Sequence, residues 1–280
     1  DAIISVRALD AGYGDHKVLR DLSVDFRRGR VTTIVGGSGC GKSTLLKCIV
    51  GLLAPWSGSV TVDGRVLTDL PEDELAGALA RVGLLFQQGA MLNSITVAEN
   101  VALPLTVHTT LPRPVVDEVV QMKLDLVGLG HVGPMLPSEL SGGMRKRAAL
   151  ARAMALDPDV LLCDEPSAGL DPQTAADLDA LILRLKRTFH MTVVVVTHEL
   201  ASIDAIADDV VFLGRGGSLH FAGPLAEATA TVDFGAVSAI NTPIAPALAA
   251  LCTFMLTAQV PRSINAILPA TPETGSQPGS

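Results

Sequence analysis

The sequence predicts an α/β fold in which short, buried strands alternate with helices. Three observations support this prediction. Several apolar segments rich in β-branched residues are typical of strands buried on both faces of a sheet, namely 31–35, 82–86, 160–163 and 192–197. Segments of helical periodicity separate them, with 42–50 and 173–189 the clearest. Apolar residues make up 48% of the 280 residues, enough for a sizeable core and too many for a wholly disordered chain.

The remaining elements follow in chain order. A strand over 18–26 and a turn at 27–30 precede the strand 31–35, and a hairpin is predicted over 59–67 with Asp63 and Gly64 at its turn. Residues 88–150 instead favour three helices, at 95–103, 113–127 and 144–155. A helix at 200–207 and strands at 210–213 and 218–221 come last. From about residue 222 the chain becomes rich in Ala, Thr and Pro, and the last twelve residues are expected to be disordered.

Charge and hydropathy exclude some classes of function. The 21 Lys and Arg residues against 29 Asp and Glu residues give a net charge of -8, which argues against a nucleic-acid-binding protein. A local phosphate site remains compatible with this charge, because a few backbone N–H groups and one lysine suffice. Since no uninterrupted apolar run reaches 18 residues, no transmembrane helix is expected, and the nearest approach, 244–260, contains Pro246.

The strongest motif is a glycine-rich segment between the strand 31–35 and the helix that follows. It fits the pattern G-x-x-x-x-G-K-[ST] of a P-loop and consists of Gly36, Gly37, Ser38, Gly39, Cys40, Gly41, Lys42 and Ser43. The glycines let backbone N–H groups converge on phosphate oxygens, and the helix N-terminus adds a partial positive charge. We expect Lys42 to reach the β- and γ-phosphates of ATP, Ser43 to bind Mg²⁺, and Thr44 to add a contact.

Two carboxylates form the second motif. Asp164 and Glu165 come directly after the buried strand 160–163. Together with the P-loop, this pattern predicts that Asp164 holds Mg²⁺ and that Glu165 polarises the water that attacks the γ-phosphate.

The third motif is a second helix N-terminus that is suited to binding an anion. Ser141, Gly142 and Gly143 open a helix that carries Arg145, Lys146 and Arg147. The plain alternative is an ordinary serine-capped helix. One chain has no evident need for two phosphate cradles, whereas a dimer has, if each nucleotide lies between the P-loop of one copy and this segment of the other.

These three motifs and the later His198 occur in the order found in ATPase subunits of ABC transporters, and the chain resembles that family over residues 1 to about 225. The resemblance implies a P-loop NTPase cassette with a RecA-like core, a β-rich N-terminal part and a helical subdomain. The core would comprise residues 1–88 and 156–225, and the helical subdomain residues 89–155. Residues 226–280 would form a C-terminal extension without a match to the family.

Further site residues are implied by the same resemblance. Tyr13 looks like the aromatic residue that stacks on adenine, and Gln87 like the glutamine that senses Mg²⁺ and the attacking water, with the neighbouring Gln88 as the alternative. Asp171 resembles the acid of a loop that crosses a dimer interface. His198 resembles the histidine that contacts the γ-phosphate.

A narrower resemblance is to the Mla/Mce-type lipid transporter ATPases. It is carried by the stretch 86–102, by Pro104 and Leu105, by His108 and Thr109, by 122–124, and by 137–139 before the third motif. Met91 and Leu92 depart from the usual Leu-Phe of that family. The resemblance implies ATP-driven transport of phospholipids or similar lipids across the cell envelope, by a subunit peripheral to the cytoplasmic side of the inner membrane.

The implied partners are a second copy of the chain in a head-to-tail dimer around two ATP molecules, a membrane permease that docks through a coupling helix, and an Mce-type lipid-binding subunit. No nucleic-acid partner is expected. Two alternatives stay open: the ATPase of an importer of small polar solutes such as amino acids, and an ABC ATPase without a transport role.

Overall fold

The computed structural model describes residues 1–231. The predictions for residues 232–280, including the apolar segment 244–255 and the disordered tail, lie outside the described residues. Within residues 1–231, no helix combines the length and the apolar character that crossing a membrane requires.

Two sheets organise the fold. The first has four strands in the order β2-β1-β4-β5, all antiparallel to their neighbours. Its strands are β1 (Ala2–Tyr13), β2 (His16–Arg27), β4 (Ser57–Val62) and β5 (Arg65–Val66). The second has six strands in the order β10-β9-β3-β8-β7-β6. Its strands are β3 (Val31–Gly36), β6 (Val82–Leu85), β7 (Val160–Asp164), β8 (Thr192–Val196), β9 (Asp209–Leu213) and β10 (Leu219–Pro224).

The part of the chain that the structure describes also contains eight α-helices and one short 3-10 helix, Pro137–Glu139. The α-helices are α1 (Lys42–Ile49), α2 (Glu72–Ala78), α3 (Val97–His108), α4 (Arg113–Leu126), α5 (Gly142–Ala153), α6 (Pro172–Phe189), α7 (Leu200–Ile206) and α8 (Leu225–Thr231). Helices α3 to α5 follow one another without an intervening strand, as the change of periodicity over 88–150 predicts.

The six-stranded sheet is covered on both faces. Alternate residues of β7 and β8 point to opposite sides, so that Leu161 and Val193 join a core with α3 to α6, whereas Leu162 and Val194 join a core with α1 and the four-stranded sheet. Five of the six strands, β3, β6, β7, β8 and β9, are parallel to their neighbours in that group. Their carboxyl ends therefore meet at one edge of the sheet, where binding sites of open α/β sheets lie.

The predicted elements are present, with shifted ends. The predicted helix 95–103 begins at Val97, because Thr96 and Glu99 form a capping box there, and it continues through Pro104 to His108. The predicted helix 144–155 begins at Gly142, because Ser141 caps it through the Met144 N–H group. Strand β1 and helices α2 and α8 are not in the sequence prediction.

Candidate functional site

The P-loop segment connects β3 to α1 at the carboxyl edge of the six-stranded sheet. Gly41 is the N-cap residue of α1 with a φ of 102°, a conformation that favours glycine, and a Cβ there would lie 2.5 Å from Leu19 Cδ2. A Cβ on Gly36 would lie 2.5 Å from the carbonyl oxygen of Leu213. Ser38 and Gly39 are exposed, while Gly37 and Cys40 are buried. The loop thus packs closely on one side and offers its tip to solvent.

Lys42 folds back over this loop. Its Nζ donates hydrogen bonds to the carbonyl oxygens of Gly36, at 2.9 Å, and Gly37, at 3.0 Å. The ammonium group therefore lies where the loop curls, and it can exchange these two acceptors for phosphate oxygens. Thr44, the neighbour of Ser43, is buried at 7% exposure.

Asp164 ends β7 and faces α1. The Ser43 hydroxyl donates to Asp164 Oδ1 at 3.2 Å, so the two predicted Mg²⁺ ligands are in contact. Burial raises the pKa of Asp164, with the charge of Glu165 adding to the effect and the Ser43 hydrogen bond opposing it. Carboxylates that lack full solvation gain most from a cation, so this pair is a suitable place for one.

The Glu165 carboxylate joins three segments that follow different strands. Gln87, after β6, donates from Nε2 to Glu165 Oε2 at 2.9 Å. His198, after β8, places Nδ1 3.3 Å from Glu165 Oε1. The structure brings Gln87, and not its neighbour Gln88, to this carboxylate. Gln87 and His198, two of the predicted catalytic residues, thus each lie within hydrogen-bond distance of the third, Glu165.

A second group of predicted residues forms its own cluster. Ser141 caps α5 and is exposed, as is Gly142, and a Cβ on Gly143 would lie 2.6 Å from Thr174 Cγ2. Asp171 caps α6, and hydrogen bonds from Thr174 hold the pKa of its carboxyl below the usual value. No hydrogen bond or ion pair within residues 1–231 joins this cluster to the P-loop.

Tyr13 lies at the end of β1 with 46% of its surface exposed. Lys47 of α1 holds it, since Nζ lies 5.5 Å from the ring centroid and 3.3 Å from the hydroxyl oxygen. The tyrosine is therefore tied to the helix that the P-loop opens.

The sequence reasoning missed Lys146 and Arg152 on α5. Lys146 Nζ donates to the carbonyl oxygens of Gln87 and Glu165, and the Arg152 guanidinium donates to those of Gly89 and Ala90. The one sequence signal is a run of cations after Ser141-Gly142-Gly143, which does not reveal backbone partners.

Comparisons with known proteins identify the family of the chain. A family model described as "ABC transporter" matches residues 19–168. The chain is 43% identical over 206 residues to the intermembrane phospholipid transport system ATP-binding protein MlaF of Haemophilus influenzae, covering 74% of this chain and 78% of that protein. It is 40% identical over 212 residues to the probable ribonucleotide transport ATP-binding protein mkl of Mycobacterium leprae, covering 76% of this chain and 61% of that protein.

Among solved structures, the chain resembles a dimeric, post-hydrolysis state of the ATP-binding cassette MJ0796 bound to ADP and Pi. The TM-score is 0.73 at 29% identity, over 79% of this chain and 98% of the other. The family model covers more than half of this chain, and the MlaF similarity covers most of both proteins. The chain therefore belongs to the ABC transporter family, as one of its ATP-binding and ATP-hydrolysing cassettes.

Proposed function

We propose that this cassette couples ATP hydrolysis to the transport of phospholipid across a cell envelope. The observation that carries the catalytic half of the proposal is the convergence of Gln87 and His198 on the Glu165 carboxylate. The similarity to MlaF, a protein named for intermembrane phospholipid transport, supports the transport half.

The triphosphate would bind along the P-loop, with the backbone N–H groups of 36–44 and the Lys42 ammonium group around its β- and γ-phosphates. Lys42 would leave the carbonyl oxygens of Gly36 and Gly37, now 2.9 and 3.0 Å away, for the phosphate. Tyr13 would stack on adenine, since its ring is half-exposed and fixed by Lys47.

Mg²⁺ would be held by Ser43 and Asp164, which are in contact, and by Gln87. Magnesium sites commonly use one or two carboxylates together with substrate phosphates. The contact of the Ser43 hydroxyl with the Asp164 carboxylate at the P-loop supplies one such carboxylate. The bound cation would neutralise charge on the phosphate oxygens and align the γ-phosphate.

Glu165 would accept the proton of the attacking water. In the structure, Gln87 donates a hydrogen bond to one oxygen of this carboxylate, and His198 Nδ1 lies 3.3 Å from the other oxygen. These contacts support a role for both side chains in orienting the water and the γ-phosphate.

The cluster of Ser141, Gly142, Gly143 and Asp171 would complete the site of a second copy. Among residues 1–231 it makes no hydrogen bond or ion pair with the P-loop, and Ser141 and Gly142 are exposed at a helix N-terminus suited to phosphate. We infer a head-to-tail dimer with two ATP molecules between P-loop and cluster. Loss of phosphate would remove this bridge and let the dimer open.

A permease would dock on the groove beside α3 and α5, and the cassette would lie at the cytoplasmic face of the inner membrane. The groove has a volume of about 350 Å³ and includes Phe86, Ala90, Pro104, His108 and Arg152 in its lining. It adjoins the loop that carries Gln87, so a coupling helix seated there would sense that loop. We propose that helices α3 to α5 (within 89–155) act as a lobe against the core of 1–88 and 156–225.

The identity of the transported substrate rests on the relatives and not on the site of this cassette, because the cassette need not contact that substrate. The mkl relative, named for probable ribonucleotide transport, favours a small polar solute as the second candidate. An Mce-type lipid-binding subunit is the expected further partner for phospholipid.

The test is to co-purify the permease with this chain and to reconstitute the complex in liposomes. We expect ATP-dependent movement of a fluorescent phospholipid and none with the Glu165→Gln complex. Uptake of a radiolabelled ribonucleotide or amino acid, without phospholipid movement, would contradict the lipid assignment. Association with ribosomes or DNA in place of a permease would contradict a transport role.

A further inference from the structure

One face of α5 lies against the loop 87–90. Lys146, Ala149 and Arg152 recur at a spacing of three residues, which places them along the same side of the helix. Gly89 is buried there, and a Cβ on it would lie 3.2 Å from Ala149 Cβ. The loop that carries Gln87 is thus packed directly on the helix that Ser141, Gly142 and Gly143 open.

Lys146 connects this loop to the end of β7. Its side chain is buried, with 8% of the residue exposed, and Nζ lies 2.5 Å from the Gln87 carbonyl oxygen and 3.2 Å from that of Glu165. Burial lowers the pKa of Lys146, while the nearby charges of Glu165 and Glu199 oppose this. A buried ammonium group with two carbonyl acceptors fixes both of them in space.

The Glu165 backbone needs such support. Its φ of 46° is in the left-handed region, which is unfavourable for a residue with a side chain. Three contacts of its main chain hold it there. Its N–H group donates to the Val196 carbonyl oxygen at 2.9 Å, and its own carbonyl oxygen accepts from Lys146 Nζ and from the Ala168 N–H group, both at 3.2 Å. The direction of the Glu165 carboxylate therefore depends on contacts of its main chain.

Arg152 holds the other end of the loop. Its guanidinium donates to the carbonyl oxygens of Ala90 and Gly89, both at 2.7 Å. With Arg152 fixing residues 89 and 90, Lys146 links the main chain of residue 87 to that of residue 165.

We infer that Lys146 is a positioning residue for ATP hydrolysis. By holding the carbonyl groups of Gln87 and Glu165, it fixes the positions of their side chains relative to each other. The inference rests on the proposed roles of those two side chains. Lys146 acts through their main chains, and it joins α5, and hence the dimer-facing cluster, to the reacting group.

The experiment compares Lys146→Met with Lys123→Met. Lys123 is a matched control, because it is also a buried lysine, at 2% exposure, and donates from Nζ to Asp157 of the loop before β7 at 2.6 Å. We expect Lys146→Met to lower kcat about ten- to a hundredfold, since small misplacement of reacting groups has effects of that size. Its Kd for ATP should stay within about twofold of the parent, because the P-loop is untouched. Lys123→Met should reduce stability and leave kcat of the folded protein near that of the parent.

A double-substitution series separates positioning from a general structural effect. In the Gln87→Ala background, Lys146→Met should lower kcat by a smaller factor than in the parent, because one of the two side chains whose relative position Lys146 fixes is gone. If the double variant lost kcat by the product of the two single factors, the inference would be overturned. Parental turnover of Lys146→Met, or an equal loss of kcat in Lys123→Met, would overturn it as well. Glu165→Gln is measured alongside. If it hydrolyses ATP at the parental rate, the proposed site itself is wrong, whereas parental turnover of Lys146→Met alone refutes only the role of Lys146.

Discussion

Replacing Gly89 with alanine tests whether the loop that carries Gln87 depends on its packing against α5. Gly89 has a φ of +73°, and an added Cβ would lie 3.2 Å from Ala149 Cβ. Gly128, just after α4, also has a φ of +73°, but nothing lies within 4 Å of an added Cβ. Gly128→Ala is therefore the matched control, since both substitutions impose the same backbone strain and only Gly89→Ala adds a close contact.

Backbone strain and the close Cβ contact determine the expected loss of stability in the two variants. A left-handed backbone costs a residue with a Cβ about 1–2 kcal/mol, which applies to both variants. The Cβ–Cβ separation in Gly89→Ala is shorter than the optimal 3.5–4.0 Å of carbon contacts, and overpacking of this kind costs about 1 kcal/mol more. Because Ala149 Cβ is fixed to the helix backbone, the loop has to move. That displacement carries the Gln87 amide away from Glu165, for which we expect a loss of about tenfold in kcat.

The assays are urea unfolding of both variants and steady-state ATP hydrolysis at saturating ATP and Mg²⁺, at a temperature where both are fully folded. Gly128→Ala should lose about 1–2 kcal/mol of unfolding free energy and keep its turnover. Gly89→Ala should lose somewhat more stability and most of its turnover. Equal turnover in the two variants would refute the link between loop packing and catalysis.

Three further substitutions test the charges and the base-binding surface. Asp179 is 4% exposed, Oδ1 has no hydrogen-bond partner within residues 1–231, and burial raises its pKa, so its anion destabilises the fold above that pKa. Asp179→Asn should therefore raise the free energy of unfolding at pH 8 by about 1 kcal/mol, with a gain that shrinks as the pH falls towards 4, as measured by denaturant titration at several pH values. Burial alone would raise the pKa of Asp209, but hydrogen bonds from Arg27 and Arg30 outweigh burial and lower the pKa below its ordinary value. The ionised Asp209 therefore stabilises the fold above that ordinary value, and this stabilisation is lost as the pH falls through the pKa of the folded state. Asp209→Asn should lower the free energy of unfolding by about 1–2 kcal/mol at pH 7, a modest value because both arginines are partly exposed, and the difference should fade in acid. Tyr13→Ala should weaken the binding of a fluorescent ATP analogue about tenfold and leave kcat unchanged, since the loss of one stacking contact affects binding alone.

Strands β3, β7, β8 and β9 of the six-stranded sheet could be predicted because they are short and almost entirely buried. Strand β1 could not, because its pairing with β2 has several register shifts and Ala8 has a positive φ, which breaks the alternation of buried and exposed residues. Helix α2 is short and contains Gly77, so its periodicity is weak. Local regularity thus decided which elements were visible in the sequence.

The same holds at the site. Ser43, Gln87, Asp164 and His198 follow strand ends, and their side chains make the contacts, so residue type and order point to them. Lys146 and Arg152 act on backbone carbonyl groups, which every residue carries. No residue pattern marks such partners, and only the three-dimensional packing of α5 against the loop 87–90 identifies them.

The central claim is that Glu165 performs hydrolysis at a site that two copies complete around ATP. The most direct measurement is the molar mass of Glu165→Gln in solution, by light scattering, with and without ATP and Mg²⁺, and in combination with Gly142→Asp. We expect Glu165→Gln to form a stable dimer with ATP, and the added Gly142→Asp to leave a monomer that still binds ATP. A Glu165→Gln protein that binds ATP and remains a monomer, or that hydrolyses ATP at the parental rate, would contradict the account.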